Sequence, residues 1–97
     1  MLHRYIIMNT RHKNDLLTVI LDIKQKDILE KFLIDILTPS EWEDIIKRWQ
    51  IVKQLSNRTP QRTIAKNLGV SIAKITRGSR ELRDKKGGFW QALKMKK

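Results

Sequence analysis

Of the 37 residues from 61 to 97, eleven are lysine or arginine and two are acidic. Residues 1–60 hold ten bases against eight acids, so nearly all of the net charge of +11 sits in the last third of the chain. Charge concentrated in this way captures a polyanion, because each phosphate it neutralises releases condensed counterions. A solvated face or an anionic lipid surface accommodates the same bases, so geometry has to separate the three. Covalent chemistry has no comparable support. The chain has no cysteine and two histidines, His3 and His12, which stand apart near the N-terminus. Asp15, Asp22, Asp27 and Asp35 read as helix caps and polar faces, and no acid–base pair or metal-ligand cluster emerges. We therefore expect a binding protein, not an enzyme, with neither metal nor cofactor.

The bases are carried by "QRTIAKNLGVSIAKITRGS", residues 61–79. Ile64, Ala65 and Leu68 form the inner face of a short helix that starts at Gln61. Gly69 supplies the positive φ of a tight corner, Val70 plugs that corner, and Ser71 caps a second helix. Ile72 and Ile75 face back onto the first helix, and the small Ala65 admits a close crossing. Arg62, Lys66, Lys74 and Arg77 fall on the exposed side. An ordinary helical hairpin requires no small residue four before its glycine, no apolar residues one and six after it, and no basic outer face. The pattern is that of a DNA-binding helix-turn-helix, whose second helix, about 72–83, enters the major groove. From that helix Lys74, Thr76 and Arg80 reach DNA. Arg62 approaches base edges or phosphates, and Lys66 a phosphate. Gln61, Ile72, Ala73 and Arg83 complete the expected DNA-contacting set.

The remaining segments also read as helix, giving an all-α chain of about six helices. Asn14 or Asp15 caps the first, which carries Leu16, Leu17, Val19, Ile20, Leu21 and Ile23. Asp27 caps the second, with Ile28, Leu29, Phe32, Leu33, Ile36 and Leu37. Thr38, Pro39 and Glu41 fit a capping box with proline at the first helical position. The helix they open runs to about Leu55, with Ile45, Trp49, Val52 and Leu55 along one stripe. "SNRTP" (56–60) ends it, and "DKKGG" (84–88) precedes a last helix, Phe89 to Lys94. We expect an arm over 1–13 and one domain over 14–97: a dimerisation core (14–56), a helix-turn-helix head (60–83) and a C-terminal helix (84–97).

The first two helices lack a polar face, and in so short a chain such surface goes into a subunit interface. A homodimer follows, and it places a second reading helix about one DNA turn away. Phe89, Trp90 and Leu93 dock against that core; anchoring at a membrane surface is the other use of such a stripe. No apolar run approaches the ~20 residues of a membrane span. Tyr5 to Met8 is shorter than a signal peptide's core of ~7–15 residues. The expectation is a soluble, cytoplasmic protein.

"LTPSEWEDIIKRWQIVKQL" (37–55) followed by "PQRTIAKNLGVSIAKITRGSREL" (60–82) resembles the bacterial tryptophan repressor family, over about residues 14–83. Leu-Thr-Pro and Ile-Thr-Arg-Gly-Ser are its most specific pieces. The resemblance implies an intertwined homodimer whose DNA-reading heads are positioned by bound L-tryptophan. It implies that Arg48 and Arg77 sandwich the indole, that Gly78 leaves room for the ligand, and that Thr38 lies near the ligand's amino group. Guanidinium stacking on an aromatic face contributes roughly 0.5–2 kcal/mol. Glu81 stands where the family usually has a small hydroxyl residue, and either pairs with the ligand's ammonium or points to solvent. Lys74 replaces a smaller residue on the reading face, and the "SNRTP" turn is one residue shorter than in the best-known member of the family. The implied function is tryptophan-dependent repression of tryptophan biosynthesis or uptake genes at a palindromic operator. The alternatives are a ligand-independent regulator on the same fold and a nucleoid or RNA-binding protein with a steep salt slope but little sequence discrimination.

Overall fold

The computed structural model describes residues 10–95. His3, the Tyr5–Met8 run, the rest of the expected arm to residue 9 and the last two lysines lie outside them. Among the described residues there are six helices and no strand: α1 (Thr10–Asp22), α2 (Lys26–Ile36), α3 (Pro39–Ser56), α4 (Gln61–Leu68), α5 (Ile72–Glu81) and α6 (Gly88–Met95). They divide into two compact units, residues 1–39 and 40–97.

The first unit holds α1 and α2. The helix α1 begins at Thr10, ahead of both expected caps, so Asn14 and Asp15 are interior helical residues. Thr10 to Lys13 contain no glycine or proline, and extending a formed helix adds one hydrogen bond per residue fixed. Asp27 is likewise inside α2, as its second residue. Gln25 occupies the cap position without a side-chain bond, while the Asp27 carboxylate accepts the Ile28 N–H at 2.9 Å. A carboxylate in the first turn still favours the positive end of the helix dipole. Neither helix buries a residue: Leu21 is 73% exposed and Ile36 52%.

The second unit holds the core that positions the basic segment. Ile51 and Val52 of α3, Ile64 of α4, Ile75 of α5 and Leu82 are buried. Leu55, Ala65, Leu68 and Val70 pack around the Ile51–Ile64–Ile75 cluster. The expected α3 stripe included Val52 and Leu55 but omitted Ile51, which lies beside it and packs on the head together with Leu55. Pro39 opens α3, as its fixed φ suits. At the other end Arg58 takes φ 64°, while its N–H donates to Leu55 O (2.9 Å) and the Thr59 N–H to Gln54 O (3.0 Å). These two bonds form a Schellman closure with arginine at the left-handed position where glycine is usual. A β-carbon there costs about 1–2 kcal/mol, partly offset by the lower backbone entropy an arginine loses on folding. Arg58→Gly is therefore expected to raise stability by about 0.5–1 kcal/mol, read from the midpoint of denaturant unfolding.

The corner between α4 and α5 forms as the spacing requires. Gly69 adopts φ 63°, ψ 39° and donates its N–H to Ala65 O at 2.9 Å. Ser71 Oγ accepts the Lys74 N–H at 3.3 Å, capping α5. Beyond α5, the Trp90 indole N–H donates to Leu82 O at 2.7 Å and ties α6 to the end of that helix. The Lys85 ammonium sits 4.6 Å from the centre of the Trp90 ring. No helix among the described residues is long and apolar enough to cross a membrane.

Candidate functional site

Burial of Ile64 and Ile75 against Ile51 fixes α4 and α5 to the end of α3. That leaves Gln61, Arg62 and Lys66 exposed on α4, Ala73, Lys74, Thr76 and Arg80 exposed on α5, and Arg83 exposed just beyond it. Ile72 behaves differently from its expected inward role. It is 49% exposed at the first position of α5, whereas Ile75 is fully buried. The crossing brings only one side of α5 down on α3 and α4, and Ile72 starts the helix outside that contact. It therefore joins the exposed residues of α5 and is not part of the buried inner face.

Gly78 is buried on the side of α5 that meets α3. A β-carbon at this position would lie 3.1 Å from Ile51 Cγ2 and 3.5 Å from Leu55 Cδ1. The missing side chain lets the two helices approach. Gly78→Val would thrust branched methyls into the buried Ile51, whose Cγ2 cannot swing away without a rotamer change. A loss of about 1–3 kcal/mol is expected in thermal or denaturant unfolding.

A hollow of about 100 Å³, partly open to solvent, lies between the two helices; Asp44, Lys47, Arg48 and Ile51 line it from α3, and Lys74 and Arg77 from α5. Its floor is apolar and its rim carries four cations and one carboxylate. Lys74 Nζ stands 3.5 Å from Asp44 Oδ1, so an ion pair spans the rim. Such a site suits a flat apolar group that bears an anion. The structure thus brings Arg48 and Arg77 together. It does not bring Glu81 with them: one turn further along α5, Glu81 lines a different hollow with Trp49, Asp84 and Phe89. Thr38 immediately precedes α3 and falls in the first unit. Asp44 and Lys47 were not singled out from sequence. Asp44 lies four residues before Arg48 and three before Lys47, spacings that place it on one side of α3 with each of them.

The family model described as Trp repressor protein matches residues 11–97. The chain belongs to the Trp repressor family. Its match to that family is longer than the 14–83 over which sequence motifs alone carry the likeness. Among curated relatives, a Trp operon repressor homolog of Xylella fastidiosa (strain M23) is 43% identical over 70 residues, covering 71% of this chain and 76% of the relative. One from Actinobacillus succinogenes is 39% identical over 80 residues, 81% of this chain and 79% of its own length. One from Haemophilus influenzae (strain PittEE) is 35% identical over 91 residues, 93% of this chain and 90% of its own. No solved structure gives a significant match. As a Trp repressor family member the chain has the expected all-α, helix-turn-helix fold, and the family is one of transcription regulators.

Proposed function

We propose that this Trp repressor family member is a cytoplasmic, L-tryptophan-dependent repressor that binds a palindromic operator as a homodimer and controls tryptophan biosynthesis or uptake genes. The observation that carries the reading is the convergence of Arg48 and Arg77 on one hollow, with the reading helix as one wall. Two arginines beside an apolar side chain suit an indole ring, and the surplus cations suit the carboxylate of a free amino acid. Occupying the hollow couples ligand to head position, because any ligand there touches α5 directly.

At about 100 Å³ the hollow is smaller than the ~150 Å³ that accommodates a benzene ring. An indole must therefore part the walls or extend beyond the mouth, where a second protomer would complete the site. The apolar residues that α1 and α2 leave exposed, Leu17, Leu21, Ile34 and Ile36 among them, favour such a dimer, since exposed apolar patches mark interaction surfaces. The test is selection of binding sites from a random duplex pool, with and without L-tryptophan. A two-fold symmetric site with half-sites about one turn apart, enriched only with the amino acid, is expected. Enrichment of the same site without tryptophan would favour a ligand-independent regulator.

A further inference from the structure

Among the described residues Arg58 is the one non-glycine residue with a positive φ, at 64°. The turn needs that backbone conformation, because the two closing bonds at the end of α3 redirect the chain toward α4. It does not need the side chain. The Arg58 guanidinium is exposed and makes no ion pair or hydrogen bond among the described residues. Glycine would close the same turn with less strain. A residue held in a costly conformation without an internal task points to a task outside the fold. The backbone that carries it is also stiff. Pro60, with φ −59°, follows two residues later and leads into α4.

The surroundings of Arg58 are of one sign. From residue 45 to residue 80 the chain has nine bases and no acid. Arg62 and Lys66, both exposed and four residues apart, share a side of α4, and Arg58 precedes Arg62 by the same interval. In a helix-turn-helix the first helix crosses the DNA backbone while the second enters the groove. The turn that leads into that first helix then comes down beside phosphates.

Resting on the DNA-binding part of the reading above, we infer that Arg58 contacts the DNA backbone and that the α3–α4 turn extends the phosphate-binding surface of the head beyond its two helices. The guanidinium donates hydrogen bonds to the oxygens of one phosphate, a geometry its planar fork matches. It reads no base, since a phosphate contact fixes register on the duplex without carrying sequence information. The strained turn thus exchanges some stability for an anchoring contact.

The test is the affinity of the full chain, in saturating L-tryptophan, for its selected operator and for an arbitrary duplex over a series of salt concentrations. Arg58→Gly relieves the left-handed strain, so that variant should unfold at a higher denaturant concentration than the wild type. Its slope of log affinity against log salt should nevertheless flatten by about 0.9 for each protomer engaged. Affinity for both duplexes should fall by the same factor, leaving the preference for the operator unchanged. Arg58→Lys keeps the charge and should keep the wild-type slope. Arg58→Asn is neutral but tolerates the left-handed region, and it should flatten the slope as glycine does. The asparagine variant separates the lost charge from the looser backbone that glycine brings. A wild-type slope in Arg58→Gly or Arg58→Asn, an equally flattened slope in Arg58→Lys, or a diminished preference for the operator overturns the contact. A wild type that binds neither duplex overturns the DNA-binding reading and the contact with it, whereas a wild type that binds with the same slope as Arg58→Asn removes the contact alone.

Discussion

Arg77→Ala and Arg48→Ala should each weaken L-tryptophan binding by roughly 2- to 30-fold, the factor that corresponds to losing one guanidinium–indole stack. The ligand-dependent gain in operator affinity should shrink in parallel, since an effector shifts an equilibrium only by its differential binding. Neither side chain belongs to the buried Ile51–Ile64–Ile75 cluster, so the fold should survive both changes. Arg77→Lys distinguishes stacking from charge. Lysine keeps the positive charge but has no planar face to lay on the ring. It should behave nearly like the alanine variant toward tryptophan, and isothermal titration with each protein gives the answer. Recovery of most of the wild-type affinity by lysine would mean that the hollow recognises only an anion.

Ile75→Ala should cost about 2–5 kcal/mol of unfolding free energy, the range for emptying a fully buried aliphatic site. Ile75 is completely buried and touches the cluster that fixes α5 to α3 and α4. Against a total stability of ~5–15 kcal/mol, that loss is enough to melt the head of a small domain. DNA binding should disappear with it. Ile72→Ala, three residues earlier on the same helix, should change stability by no more than ~0.5 kcal/mol because Ile72 is half exposed. Its effect, if any, should appear in operator affinity. Chemical denaturation of the two variants side by side makes the contrast measurable, and equal losses would contradict the inward–outward division of α5.

That pair also shows how far the sequence could be read. The glycine corner, the Ser71 cap and the inward positions Ile64, Leu68 and Ile75 follow from local backbone chemistry and helical period, both of which are written in adjacent residues. Ile72 follows from neither. Period alone puts it near Ile75, and only the crossing of α5 over α3 decides that the contact begins one turn later. Ile51 was missed for a related reason. A single narrow stripe left it out, while the face of α3 that meets Gly78 of α5 is wide enough to include Ile51 beside Val52 and Leu55.

The candidate site was legible in part. Arg48 and Arg77 were assigned by likeness to a family, and the structure brings them together without reference to that likeness. Asp44 and Lys47 escaped because charged residues on an exposed helix face look alike until a second helix closes over them. Glu81 and Gly78 were assigned by matching positions alone; in the structure Glu81 lines a neighbouring hollow and Gly78 lies against Ile51. One helical turn separates Arg77 from Glu81, enough for α5 to present them to different neighbours. The start of α1 at Thr10 shows the weakest link, a helix end inferred from capping residues that turn out to lie inside it.

The most direct test of ligand-gated DNA reading is the affinity of the full chain for its selected operator, measured at one fixed salt concentration with and without saturating L-tryptophan. A gain of about 5- to 150-fold on adding the amino acid is the expected result, the range of a typical coupling between two sites. The same affinity in both conditions would contradict it.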